Sequence, residues 1–171
     1  MKELKLHTQT SINSIKDIRL ALKHYYKGTQ GASNIEIENL INNVYKKPLE
    51  TGLFDIEVSI VKSGNQIVSV ALLMDYTSLD FHILGILYTV PKFRNQGIGS
   101  DLVKSYIKKA KAENKPFFIA LDQDEVSETM PFYEQFGIDK ILVGLLPSNL
   151  VIGTQKDIDF ICSTFGVSQA A

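Results

Sequence analysis

The chain has 171 residues, 44% hydrophobic and 22% charged, the make-up of one globular domain with a sizeable core. A net charge of −1 excludes a global basic field for recruiting nucleic acid, so any anion site has to be local. The single cysteine, Cys162, excludes an intrachain disulfide and points to a reducing compartment, and no apolar run approaches the ~20 residues of a membrane span.

The opening MKELKLHTQT has no apolar stretch like that of a secretory signal, so the expectation is a cytoplasmic protein without membrane or nucleic-acid partners. Residues 2–7 alternate polar and apolar as a short strand. Ile12, Ile15, Ile18, Leu22 and Tyr25 then recur at helical spacing, with Ser11 or Asn13 as N-cap and Gly28 as the end. A second helix covers Ile35 to Tyr45, closed by Pro48. From Phe54 to Val61 the period becomes two, the pattern of a strand with one wet face. Gln66–Met74 and Phe81–Val90 continue as an antiparallel meander. A helix follows Gly99, with Leu102, Val103, Tyr106, Ile107 and Ala110 on its buried stripe, and Phe117–Leu121 is a short apolar strand. A strand–helix–strand crossover of this length implies parallel pairing, hence a mixed sheet. A helix through Met130–Phe136 ends at Gly137, its Pro131 expected in the first turn. Two last strands are expected at Lys140–Leu146 and Asp159–Thr164, separated by Pro147-Ser148-Asn149 and Gly153, with a frayed tail from Val167. The whole reads as a single α/β (α+β) domain, residues 1–171, in the order β-α-α-β-β-β-α-β-α-β-β.

The junction LYTVPKFRNQGIGSDL stands out. A strand stops at Pro91, a basic loop with Lys92 and Arg94 follows, and two glycines lead into a helix. The first turn of a helix has backbone N–H groups without partners and a partial positive charge. Glycines ahead of it let an anion approach the backbone, so the junction reads as a diphosphate cradle. It is not a Walker A loop, because Gly99 is followed by Ser100-Asp101 without a lysine. It is not a Rossmann fingerprint, because Leu102 stands at the third glycine position.

What remains is Arg94-x-x-Gly97-x-Gly99 after a strand ending in Val-Pro. This resembles the GNAT acetyltransferase superfamily, whose Q/R-x-x-G-x-G/A motif grips the pyrophosphate of acetyl-CoA at a strand-to-helix junction. The element order is also that of the GNAT fold. The resemblance implies acetyl-CoA as acyl donor and transfer to a primary amine in a ternary complex. It implies a pyrophosphate site at Arg94, Asn95, Gln96, Gly97, Ile98, Gly99 and Ser100, and a pantetheine arm on the main chain of Tyr88, Thr89 and Val90. Homodimerisation is common in the family and leaves no mark in this sequence.

Amine acetylation needs a neutral nucleophile, a polarised thioester and a proton for the departing thiolate. In many GNAT enzymes a tyrosine in a pattern like A-x-x-F-Y-E-x-x-G-F supplies that proton. Pro131-Phe132-Tyr133-Glu134-Gln135-Phe136-Gly137 is similar, which makes Tyr133 the expected general acid; its ring equally suits packing of the helix on the sheet. The sequence departs from the family in two places that matter. Where relatives carry an asparagine touching the cofactor the chain reads Glu125-Val126-Ser127, so Ser127 either takes that contact or caps the helix. A glutamate often found as base on the fifth strand is missing, with Leu121 at the nearest register. Asp122 is the nearest carboxylate, with Asp124, Glu125 and His82 behind it; an acidic surface turn is its ordinary reading, and no base is assigned. His24-Tyr25-Tyr26-Lys27 either borders the acceptor site or is a solvated helix end. Acidic residues near the site favour a cationic acceptor. The missing base and asparagine leave a second expectation open, a non-catalytic CoA or acyl-CoA sensor or interaction module. Cys162 reads as a core thiol, and the three scattered histidines show no metal-ligand spacing.

Overall fold

The structure is a computed structural model that describes residues 5–143, 145 and 150–166. Residues 2–4 of the first expected strand, parts of the expected Lys140–Leu146 strand, the Pro147-Ser148-Asn149 turn and the tail from Val167 lie outside the described residues. The elements run β1 (Leu6–Ile12), α1 (Ile15–Thr29), α2 (Asn34–Leu40), α3 (Lys47–Thr51), β2 (Asp55–Ser63), β3 (Gln66–Tyr76) and β4 (Phe81–Thr89). Then come α4 (Ile98–Glu113), β5 (Phe117–Leu121), α5 (Val126–Glu134), β6 (Lys140–Leu142), β7 (Leu150–Gly153) and α6 (Gln155–Phe165). One seven-stranded sheet has the order β1-β2-β3-β4-β5-β7-β6, antiparallel except for the β4–β5 pair. The meander and the parallel crossover therefore stand as read from the sequence.

Several expectations are corrected. The cap of α1 is Ser14, whose hydroxyl accepts from the Asp17 amide, because Asn13 adopts a left-handed φ of 55° and instead accepts from the Ile56 amide. The second helix is not closed by Pro48. Its axis passes through a π turn (Ile41–Lys46) into α3, where Pro48 sits in the first turn and Gly52 ends the run at φ 68°. The wet face of β2 is covered, since Glu57 pairs with Lys109 of α4 and Ser59 is buried beneath it. Pro131 lies inside α5 rather than in its first turn.

The largest correction is at the C-terminus, where Asp159–Thr164 is helical and belongs to α6. Thr154 caps that helix by accepting from the Asp157 amide, and the buried Ile158 and Ile161 are three residues apart, a helical rather than a strand period. The last strand is β7, which pairs with both β5 and β6.

The core lies on both faces of the sheet. Ile18, Leu22 and Ile37 pack against Ile56, Val58 and Leu72 on one side; Val103 and Tyr106 pack against Leu84 and Ile119 on the other. A third cluster joins Phe81 and Phe118 to Ile158 and Ile161, which fixes α6 to the sheet. His82, fully buried on β4, has Nε2 2.8 Å from Glu113 Oε2 and Nδ1 3.5 Å from Asp75 Oδ1. Lys115 Nζ lies 2.9 Å from the same Asp75 oxygen, so an ammonium already supplies the cation that these carboxylates need. The knot ties β3, β4 and the end of α4 together. Among the described residues no helix is long and apolar enough to cross a membrane.

Candidate active site

Strands β4 and β5 pair at only three positions, His82↔Phe117, Ile83↔Phe118 and Leu84↔Ile119. Beyond Leu84 they part. Opposite Leu72 and Leu73 stand Ile86 and Leu84, leaving Gly85 as an extra residue on β4. Such a bulge bends the strand and increases its twist. A Cβ on Gly85 would stand 2.9 Å from Met74 Cε, the flexible tip of a side chain that would have to shift. The parted strands form the walls of a cleft of about 750 Å³.

The bulge also decides which backbone groups face that cleft. The Val90 amide donates to the Val68 carbonyl (2.9 Å) and the Tyr88 carbonyl accepts from Ser69 Oγ (2.9 Å), so both residues direct main-chain groups toward β3. Alternation along a strand then turns the groups of Leu87 and Thr89 toward the cleft. Of the three positions expected to meet a pantetheine arm, Thr89 turns its main-chain groups to the cleft, as Leu87 does, whereas Tyr88 and Val90 turn theirs to β3. The Thr89 carbonyl is engaged by Arg94 Nε at 3.0 Å, which holds the guanidinium at the strand end.

After a short 3₁₀ turn at Pro91–Phe93 the loop passes through two left-handed residues, Asn95 (φ 60°) and Gly97 (φ 81°). Helix α4 starts directly behind them. Its first backbone bond runs from the Asp101 amide to the Gly97 carbonyl (2.9 Å), so the amides of Ile98, Gly99 and Ser100 belong to the free first turn. All three line the cleft. Lys92 does not join them: its Nζ reaches Gln66 Oε1 (3.1 Å) on the β2–β3 side, leaving Arg94 as the loop's cation at the cleft.

A Cβ on Gly99 would meet Phe132 Cζ at 3.6 Å, Thr89 Oγ1 at 3.8 Å and Leu87 Cδ2 at 3.9 Å, ordinary contact distances with cleft-lining atoms. Gly99→Ala is therefore expected to keep the fold and gain up to about 1 kcal/mol from helix propensity. The added methyl narrows the cleft, so CoA affinity is expected to drop about tenfold or more, roughly 1.4 kcal/mol. A thermal melt and a CoA titration on the same sample separate the two effects.

The opposite wall comes from α5 and the end of α1. Tyr133 lines the cleft and is buried, its ring edge-on to Phe132 with centroids 4.9 Å apart. Burial first, then Tyr25 and Glu125, push its phenol well above the ordinary value, so it stays protonated through the neutral range. Tyr25 lines the cleft as well, edge-on to Tyr88, whose hydroxyl packs over Gly28 of α1. Glu125, half-buried just ahead of α5, is also a lining residue, its carboxyl raised by burial and by the charges of Asp122 and Glu128.

The structure thus brings Tyr88, Thr89, Arg94, Asn95, Gly97, Ile98, Gly99, Ser100 and Tyr133 to one cleft. Val90, Gln96 and Ser127 stand outside its lining, and Ser127 is exposed in the first turn of α5, which carries no side-chain cap. Asp122 is likewise not a lining residue. Thr129 and Phe132 carry no sequence signal of their own for the site, whereas Glu125 carries two: it stands behind Asp122 in the acidic turn, and it falls in the stretch where relatives carry the cofactor-touching asparagine. A smaller hollow of about 440 Å³ between α4, β5 and α6 has none of the cradle residues.

The sequence profile of the acetyltransferase (GNAT) domain matches residues 55–137, the segment from β2 through α5 that builds the whole cleft apart from Tyr25 and Thr29. That segment is a GNAT-type domain. Acyl transfer is the chemistry of that domain, and the chain is an acyltransferase. No curated protein matches it by sequence. Solved GNAT-type structures share the fold at low identity. The PaiA N-acetyltransferase of Thermoplasma acidophilum in complex with coenzyme A is 18% identical, with a TM-score of 0.56 over 86% of this chain and 98% of that one. A GNAT-family acetyltransferase of Staphylococcus aureus Mu50 is 17% identical (TM-score 0.58, 87% and 98% covered). An acyl-CoA N-acyltransferase of Pseudomonas aeruginosa is 16% identical (TM-score 0.57, 87% and 97%). In this chain the splayed strands, the free first turn of α4 and the tyrosine of α5 meet at one cleft.

Proposed function

We propose that this GNAT protein transfers the acetyl group of acetyl-CoA directly to a primary amine, donor and acceptor being bound together. The observation that carries the proposal is the convergence of an anion cradle and a buried, protonated tyrosine on the gap between β4 and β5. The amides of Ile98, Gly99 and Ser100 with the Arg94 guanidinium suit a diphosphate, and the cleft-facing groups of Leu87 and Thr89 suit the amide-bearing pantetheine arm. Tyr133 is the proton donor to the departing thiolate. Its raised phenol is protonated throughout the neutral range, so the proton is present when the C–S bond breaks. The acceptor enters beside Tyr25 and Glu125, where negative charge and aromatic rings favour a cationic amine.

The test is a thiol-release assay with acetyl-CoA against n-butylamine, 1,4-diaminobutane, an amino-acid amide and a lysine-bearing peptide. Release of CoA thiol that depends on the amine is the expected result. CoA binding without release for any of them would remove the acetyl-to-amine assignment.

A further inference from the structure

We infer that Glu125 is the proton acceptor for the incoming amine, working across the same cleft as Tyr133; this deepens the transferase reading above and rests on it. An alkylammonium has to lose a proton before its nitrogen can attack a thioester. The fifth strand, where relatives often carry a glutamate for this step, ends here in Leu121. Among the described residues that line the cleft the only carboxylates are Glu125 and Glu128, and neither histidine nor lysine is present. Glu128 is exposed one turn further along α5, whereas Glu125 is half-buried and close enough to Tyr133 and Tyr25 to act on both phenols.

The backbone at Glu125 is fixed from both sides. Its amide donates to the Asp122 carbonyl (3.0 Å), closing the 3₁₀ turn that leaves β5, and its carbonyl accepts from Thr129 Oγ1 (2.7 Å). The turn therefore holds the residue where the β4–β5 gap is already open. The titratable groups around it are Asp122 from the turn, Glu128 and Tyr133 from α5, and Tyr25 and Tyr26 from α1; Arg94 is the lining cation on the cradle side. Burial and the two neighbouring carboxylates strengthen its hold on a proton and narrow the gap to an alkylammonium. The protons balance. The ammonium gives one to Glu125, the nitrogen lone pair forms the C–N bond, and the C–S bond breaks. Sulfur takes the Tyr133 proton, the surplus proton on the new amide nitrogen returns to Tyr133, and Glu125 releases its own to solvent.

Glu125 works ionised, so activity falls as pH drops through its raised pKa, and this acid limb stands above that of an ordinary glutamate. Asp122→Asn removes one of the repelling charges and should move the limb to lower pH. Glu125→Gln is expected to lower kcat/KM for n-butylamine roughly 100-fold at pH 7. The deficit should shrink as pH rises and more amine is free, with the KM for acetyl-CoA unchanged and Glu125→Asp partly restoring the rate. Methoxyamine, already uncharged at pH 7, needs no base and should react equally well with both forms. A Glu125→Gln profile that superimposes on wild type, or an equal loss with methoxyamine, overturns the role of Glu125 alone. A wild-type protein that releases no thiol with any amine overturns the transferase reading and this inference together.

Discussion

Tyr133→Phe should lower kcat by roughly 10²- to 10⁴-fold while leaving CoA affinity and melting temperature nearly unchanged. The substitution removes one oxygen and keeps the ring, so the edge-on contacts with Phe132 and the packing under α5 persist. What is lost is the proton for the leaving sulfur, and expulsion of an unprotonated thiolate is slow. A role confined to packing would give the opposite pattern, with kcat preserved and any effect appearing in stability. Steady-state kinetics beside a thermal melt distinguish the two.

Phe118→Ala should cost about 3–5 kcal/mol of stability, a large fraction of the ~5–15 kcal/mol that a domain of this size has in total. Phe118 is fully buried in the middle of the three-residue β4–β5 ladder, its ring edge-on to Phe81 at 5.7 Å. On its other side a Cβ on Gly153 would come within 2.9 Å of the ring, which shows how tightly β7 closes over it. The cavity left by truncation sits at the hinge from which the cleft opens, so CoA binding should weaken along with the melting temperature. Chemical denaturation at equilibrium measures the cost; a loss below about 1 kcal/mol would mean that β5 is held by something other than this packing.

Different parts of the molecule were legible in the sequence to different degrees. The β4–α4 junction was plain because its signals are local: an apolar run, Pro91 as a stop, two glycines and the amphipathic pattern of α4. The main-chain register beyond it was not, because the bulge at Gly85 shifts the alternation by one residue and nothing in a row of apolar side chains marks such a shift. Helix α6 reads as a strand in the sequence because Phe160, Ile161 and Cys162 are a short apolar run that fits either state. The Thr154 cap and the Ile158–Ile161 spacing arbitrate only once β7 is seen to occupy the sheet position beside β5. Tyr25 and Glu125 are 100 residues apart, and only the fold puts both on the lining of one cleft.

The same contrast applies to the cations. Lys92 and Arg94 look equivalent on paper, two residues apart in one basic loop. In the fold the Thr89 carbonyl holds Arg94 at the cleft while Gln66 draws Lys92 to the far side. Arg94→Ala should accordingly weaken CoA binding, and Lys92→Ala should leave it close to wild type, a difference that a single titration of each variant measures.

Recognition of linked phosphates by the α4 cradle is tested most directly by a paired titration of CoA and pantetheine. Pantetheine retains the arm and thiol and lacks the diphosphate. Two charge-assisted contacts of about 1.5 kcal/mol each are at stake, so CoA should bind at least roughly 100-fold more tightly. Equal affinity for the two ligands, or no binding of CoA at millimolar concentration, would contradict it.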